Sequence, residues 1–340
     1  MAPTRTRTDL PILLLHNVDL AWSEPEIAEV RRSATELLTA VEELGHPVAS
    51  LPVSDPELSV LLSQFDPADY VVLNWCESLP GITHSDFRVA QTLEASGFTF
   101  TGASAEALAF SWDKPRVKER LSSLGIATPL WRVYARPEKN GWNCFPAIVK
   151  PSLEHSSIGI STESVVLTPS EMQLRIEYVL DTYGQPALVE DFIDGREFYV
   201  PVLGDGNPVM LPPVEMDYAS FDDVHERLCT FDSKFTPGSR LYERIGARVP
   251  APLNVYDYAQ LERTALAAFA ALQCRDYGRM DIRLRDGIFY VIDANPNADI
   301  SADASIARAA AVAGYSYGEM ISCLITLAAE RHPRFKQHWF

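Results

Sequence analysis

The chain has 340 residues and a formal net charge of −17, with 47% hydrophobic and 22% charged residues. At roughly 150 residues per domain, this length supplies two or three lobes with a sizeable core, and the composition excludes wholesale disorder. The acidic balance argues against broad binding to nucleic acid or anionic lipid, both polyanions, but leaves room for a local basic pocket that takes a phosphate ligand.

No stretch approaches the roughly 20 apolar residues that span a bilayer. Met1 to Asp9 carries Arg5 and Arg7 without an apolar signal-peptide core, so it reads as a loose tail on a cytoplasmic protein. The five cysteines (Cys76, Cys144, Cys229, Cys274, Cys323) are scattered with no C-x-x-C pair, which favours buried free thiols over a zinc site or a disulfide framework.

Pro11 to Leu15 is a short apolar run with the character of a buried strand. Ile27, Val30, Ala34, Leu37, Leu38, Val41 and Leu44 recur at helical spacing, and Gly45 stands where a C-cap glycine belongs. Val48–Leu51 and Tyr70–Leu73 read as strands, Phe87–Ala95 as a helix and Phe98–Phe100 as a strand. Strands alternating with helices predict a parallel sheet covered on both faces, a Rossmann-like lobe over residues 1–112. The first strand runs into His16-Asn17-Val18-Asp19 with no G-x-G-x-x-G turn, and no Walker motif occurs, so a nicotinamide dehydrogenase is disfavoured.

A charged helix from Asp113 to Leu124 opens a smaller α+β lobe over 113–186, with strands at Trp131–Tyr134, Ala147–Lys150 and Ser164–Leu167 and a helix at Pro169–Leu180. The third part, 187–340, holds strands near Ala187–Glu190, Glu197–Leu203 and Val209–Leu211. A polar stretch, Asp217–Pro252, and a helix, Asp257–Leu272, follow. A hairpin then joins Gly278–Leu284 to Ile288–Ile292 across Arg285-Asp286-Gly287. Two terminal helices, Ser305–Ala313 and Tyr317–Ala329, are apolar on one side.

Three segments carry chemistry. In the first, a strand delivers Lys150 to a Ser/Gly loop containing Ser156 and Ser157, which can aim backbone N–H groups and hydroxyls at phosphate oxygens; an ordinary hairpin with an exposed lysine fits as well. In the second, an apolar strand reaches Glu190, passes Ile193 and turns at Asp194-Gly195. Such a strand end can offer alternating N–H and C=O groups to an adenine edge, with Glu197 available for ribose hydroxyls, although most such hairpins only pack. The third is the sharpest: Asp281 lies on one hairpin strand, while Asp293 and Asn295 lie two apart on the partner and so share a face. Three hard oxygen ligands converging on one spot suit Mg²⁺, and without a cation the clustered acids repel or stand solvated.

In this order the segments resemble the ATP-grasp superfamily, in its D-alanine–D-alanine ligase-like branch, over most of the chain. Val71-Val-Leu-Asn-Trp-Cys-Glu77 is similar to that branch's strand ending in Asn-x-x-Glu, and Thr101-Gly102 followed by Trp112-Asp113-Lys114 resembles the entry to its central lobe. The resemblance implies an ATP-grasp fold behind a Rossmann-like lobe. It implies Lys114 and Lys150 as phosphate lysines, Glu190 and Ile193 at the adenine linker and Glu197 at the ribose. It also implies Asp281, Asp293 and Asn295 as a two-magnesium site that Mn²⁺ can also fill, Arg279 at the reacting centre and Lys234 on a mobile covering loop. The implied chemistry is ATP-dependent joining of a small carboxylate to an amine through an acylphosphate, with a homodimer through the N-terminal lobe and no nucleic-acid or membrane partner.

The departures are specific. Asp299 stands where the family has a glycine, Ser305 is one position from the family's acceptor-carboxylate serine, Phe235 replaces a tyrosine, and His155 replaces a glycine of the phosphate loop. An acid at Asp299 repels an acceptor carboxylate and attracts an amine, which argues against two D-alanines as substrates. His16 and Glu77 end sheet strands at the edge where α/β ligands gather, so both are substrate candidates. His46 and His84 read as surface or packing histidines. A true D-alanine–D-alanine ligase and a non-catalytic ATP-binding regulator are the alternatives. The complete acid set counts against the regulator.

Overall fold

Ile12–Asn17 (β1) is apolar without interruption because both of its faces are covered. Leu10, Ile12 and Leu14 enter one core with Leu37 and Val41, while Leu13 and Leu15 enter another with Leu51, Val72 and Leu93. The split follows the two-residue period of a strand. The computed structural model describes residues 7–236 and 238–336, without the side chains of residues 234 and 235.

The first lobe continues with α1 (Glu24–Glu42), β2 (Val48–Val53), α2 (Leu58–Leu62), β3 (Val71–Trp75), α3 (Asp86–Ala95), β4 (Thr99–Phe100) and α4 (Ala105–Trp112). Its sheet has the order β2-β1-β3-β4, all parallel. Helix α1 begins three residues before its first periodic apolar residue. The carboxylate of Glu26 accepts from the Ser23 backbone N–H (2.8 Å) and Pro25 occupies the first turn, which together set the start. The short helices α2 and α4 are too brief to give a sequence period.

The small lobe is an antiparallel sheet, β5 (Trp131–Tyr134), β6 (Ala147–Pro151), β7 (Val165–Val166) and β8 (Ala187–Asp191), in the order β5-β8-β6-β7, backed by α6 (Pro169–Tyr183). The large antiparallel sheet uses β9 (Arg196–Leu203), β10 (Val209–Met210), β11 (Val214–Asp217), β12 (Gly246–Arg248), β13 (Tyr277–Arg285) and β14 (Ile288–Asn295), ordered β12-β11-β9-β13-β14 with β10 beside β9. Helix α9 (Val255–Ala271) covers one face of that sheet, and α10 (Ser305–Val312) and α11 (Tyr317–Ala329) follow β14.

Three sequence expectations change. Strand β8, expected at the head of the third part, pairs with β5 and β6, so a division at 186/187 cuts the small sheet. Helix α5 (Lys114–Ser123), expected in the small lobe, buries Val117 and Leu121 in the core of the large sheet with Phe198, Leu261 and Phe289. Helix α11, expected to be apolar on one side, is buried on all sides from Met320 to Ala329, because it packs on α1, β3, β4 and α10 at once. The polar stretch 217–252 also holds structure: β12 pairs with the end of β11, and α7 (Phe231–Phe235) and α8 (Arg240–Arg244) lie between them.

One joint ties the first sheet to the large one. Asp276, fully buried just before β13, accepts from the Gly102 backbone N–H (2.9 Å) and from both terminal nitrogens of Arg331 (2.7 Å each). The Ala103 N–H donates to Asn297 Oδ1 (2.8 Å). Gly102 has φ +90°, and a Cβ there would lie 2.4 Å from Asn297 Oδ1, so the contact requires glycine.

The packing of α11 on α1 makes a direct prediction. A Cβ at Gly318 would lie 2.3 Å from the Ala40 carbonyl oxygen. Gly318→Ala is expected to lower the unfolding free energy by about 1–3 kcal/mol through overpacking, read as a shift of the urea midpoint.

Candidate active site

Strands β13 and β14 are antiparallel neighbours, with Asp281 opposite Asp293 and Arg279 opposite Asn295. Arg279, Asp281 and Arg283 alternate along β13 and so share a face. Arg279 grips Asp281 with two nitrogens, Nε to Oδ1 (2.6 Å) and Nη2 to Oδ2 (2.9 Å), while its guanidinium lies 4.2 Å from the Tyr199 ring centroid. Asn295 Nδ2 lies 3.4 Å from Asp281 Oδ2. Opposite, Lys114 at the start of α5 reaches Asp293 Oδ1 at 2.8 Å. Burial pushes Asp293 up, but Lys114 and Lys150 override it and hold the carboxyl well below the usual range. Burial lowers Arg279, and Asp281 more than reverses the shift.

These strands form the floor of a cleft of about 900 Å³ between the lobes. The cleft brings together Lys114, Lys150, Ser156, Ser157, Glu190, Ile193, Glu197, Arg279, Asp281, Asp293 and Asn295, and at its first-lobe end His16, Glu77, Asp299 and Ser305. Lys234, expected on the covering loop, has its side chain outside the described residues.

Individual placements refine the expectations. Glu190 is not a free strand end: it is buried between Lys150 (2.9 Å) and Lys118 (2.8 Å). Burial would raise its carboxyl, and the two lysines pull it below its ordinary value. Burial lowers Lys150, but Glu190 and Asp293 turn that into a rise, whereas Lys118 is brought down to about 8 by burial despite Glu190. Glu197 is held on the cleft wall by Tyr218 Oη (3.0 Å) and Arg283 Nε (2.8 Å), and Arg283 Nη1 also donates to the Ile193 carbonyl (3.0 Å). Ser156 and Ser157 both have positive φ (56° and 61°), a bend that glycine usually takes in such a loop. His155 packs edge-on to Trp112, its ring 4.4 Å away, and burial and Lys114 bring it down to about 4, so it is neutral. His84 is the exposed, packing histidine the sequence suggests, its ring 4.4 Å from that of Trp112 and its Nε2 2.9 Å from Glu154 Oε2.

At the first-lobe end, His16 is buried with Nε2 3.3 Å from Ser50 Oγ and Nδ1 without a partner among the described residues. Burial and Arg31 lower it, so it too is neutral. The Ser305 hydroxyl, on the first residue of α10, is buried and likewise unpartnered. Asp299 accepts from the Ser301 backbone N–H (2.9 Å). Glu77 projects into the cleft. Although the residue is exposed, packing of the cleft around its carboxyl, with Asp299 and Asp86 nearby, pushes it up to about 7.

Sequence reasoning missed Lys118, Arg283, Tyr199 and Tyr218. Spacing marks two of them: Lys118 lies one helical turn beyond Lys114, and Arg283 continues the alternation of Arg279 and Asp281. No sequence signal marks the tyrosines. Among the described residues no group of three or more His, Cys, Asp or Glu is placed to hold a metal ion by itself. The oxygen set is two carboxylates and an amide, with Arg279 and Lys114 standing on the acids. Such a set fits Mg²⁺, which keeps water and substrate phosphates in the rest of its shell. No helix among the described residues is long and apolar enough to cross a membrane.

Comparison with known proteins places these features in context. The family model for the D-ala D-ala ligase C-terminus matches residues 132–326. The chain is 31% identical over 313 residues to the uncharacterized protein y4sG of Sinorhizobium fredii (strain NGR234), covering 88% of each. It is 30% identical over 256 residues to the D-alanine–D-alanine ligase of Syntrophotalea carbinolica, covering 75% of this chain and 78% of that one. The D-alanine–D-alanine ligase of Bacillus anthracis, solved in complex with ATP, superposes with a TM-score of 0.73 over 95% of this chain and 98% of its own at 20% identity, a likeness of fold.

The raised Glu77 carboxyl predicts a pH dependence. The folded protein keeps the Glu77 proton up to about pH 7, while the unfolded chain releases it near the ordinary 4.5. Between those values the folded state binds more protons, so this residue makes stability fall as pH rises. Glu77→Gln is expected to flatten that fall, measured by urea unfolding at intervals from pH 4.5 to 8; an unchanged slope means that the Glu77 carboxyl is not raised.

Proposed function

This chain belongs to the D-alanine–D-alanine ligase family of ATP-dependent carbon–nitrogen ligases, and we propose that it joins a small carboxylic acid to an amine, forming an amide or dipeptide-like product and releasing ADP and phosphate. The observation that carries this reading is the gathering of Asp281, Asp293, Asn295, Arg279, Lys114 and Lys150 around one cleft. ATP and Mg²⁺ are the co-substrate and metal of this family. A two-ion site, Mn²⁺ as a substitute, a homodimer and a cytoplasmic location belong to the proposal.

In this reading the donor carboxylate attacks the γ-phosphorus of ATP. The bond from that phosphorus to its bridging oxygen breaks, ADP leaves and an acylphosphate forms. The amine then attacks the acyl carbon, loses a proton and expels phosphate. Phosphoryl transfer is mainly positioning and charge neutralisation. Lys114 and Lys150 supply positive charge at the phosphates, and the Ser156–Ser157 bend supplies N–H groups. Glu197, fixed by Tyr218 and Arg283, takes the ribose hydroxyls, and the Ile193 backbone takes the adenine edge. Asp281, Asp293 and Asn295 hold Mg²⁺, which when bound neutralises the triphosphate. Asp281 commits Nε and Nη2 of Arg279 and so fixes its plane, leaving Nη1 for the oxyanion of the tetrahedral adduct. Lys234 contributes a further γ-phosphate contact. The acylphosphate hydrolyses in water, so closure over the cleft matters.

The substrate end carries the choice between readings. Glu77, Asp299 and neutral His16 favour an ammonium-bearing substrate, and the Ser305 hydroxyl at the start of α10 offers a donor to a carboxylate. The second reading, a D-alanine–D-alanine ligase proper, draws on the relatives of that name. The test is ADP release with Mg-ATP over a panel of amino acids, amines and carboxylic acids. Release that needs an acid and an amine together supports the proposal. Turnover with D-alanine alone favours the second reading, and ATP binding without release from any pair favours a regulator. Asp293→Ala is expected to cut ADP release at least about 100-fold while the circular dichroism spectrum stays that of the folded protein.

A further inference from the structure

The two lysines on Glu190 differ in what they can reach. Lys150 lines the cleft, and Lys118 does not. Lys150 lies 2.9 Å from Oε2 and Lys118 lies 2.8 Å from Oε1, and all three side chains are buried. Lys118 is anchored in the large lobe. Its neighbours Val117 and Leu121 sit in the core of the large sheet, and its ammonium donates to Thr128 Oγ1 (2.9 Å), which donates to the Val291 carbonyl (2.8 Å) on β14. Lys150 and Glu190 belong to the small sheet, on paired strands.

A buried carboxylate stripped of its counter-ion is strongly unfavourable. With Lys150 as its one partner, Glu190 would oppose any move of that lysine toward a phosphate. Resting on the nucleotide reading above, we propose that Lys118 is a positioning residue: it is the standing counter-ion of Glu190 that lets Lys150 leave the carboxylate and meet the nucleotide phosphates. The exchange breaks no covalent bond. One ammonium changes partners, and the carboxylate keeps the other. The link through Thr128 also holds Glu190 at a set distance from β14, the strand that carries Asp293.

The test measures dissociation constants of Mg-ATP and of adenosine by calorimetry on the full chain. Adenosine has no phosphate to draw Lys150 away. Lys118→Met is expected to weaken Mg-ATP by at least about tenfold and leave adenosine unchanged, with Lys118→Arg recovering most of the loss. An equal loss for both ligands makes Lys118 a structural pin and overturns the proposal, as does no change for either. If Lys118→Met does not fold, Glu190→Gln is compared with Glu190→Gln/Lys118→Met. With the charge at 190 gone, the two are expected to bind Mg-ATP equally, and tighter binding by the variant that keeps Lys118 overturns the idea. Failure of the unmodified protein to bind Mg-ATP removes the nucleotide reading and this inference with it, a result visible before any variant is made.

Discussion

The antiparallel register of β13 and β14 is the constraint from which the site follows. It sets Asp281 against Asp293 and Arg279 against Asn295, so four functional side chains come from two short segments on one sheet. A one-residue slip would send each side chain of the moved strand to the opposite face and separate the acids. The pairing changes register between Asp281 and Ile282, where the two strands leave strict one-to-one alignment beside these residues. Strand β9 flanks β13 on its other side and brings Glu197 opposite Arg283.

Around this hairpin, charge is balanced by pairs that cross between segments far apart in the chain. Asp293 meets Lys114, Glu190 meets Lys118 and Lys150, and Glu197 meets Arg283. Few of these acids or bases have access to bulk water, so each needs its partner. The lysines facing the cleft stand on carboxylates, and Lys118 stands on Glu190 from behind the wall. The buried Asp276–Arg331 joint serves a different purpose. It fixes the first sheet to the base of β13, and so holds the first-lobe end of the cleft against the floor.

The parallel first lobe, the hairpin and the order of the lobes were legible in sequence because each has a local signature: a continuous apolar run, a helical period, or a turn flanked by alternating residues. Tyr199 and Tyr218 were not legible, since their positions in the cleft arise from contacts with residues far away in the chain. The short helices α2 and α4, with no more than about two turns each, also lacked a period to read.

The sequence by itself determined which residues are candidates for the chemistry and which face of β14 two of them share, because side-chain direction along a strand depends only on position. Tertiary structure alone decided that β8 completes the small sheet, that α5 belongs with the large one, and that α11 is enclosed on every side. Such choices turn on which apolar faces meet, and one stretch of apolar residues can be buried equally well against several neighbours until the whole chain is folded.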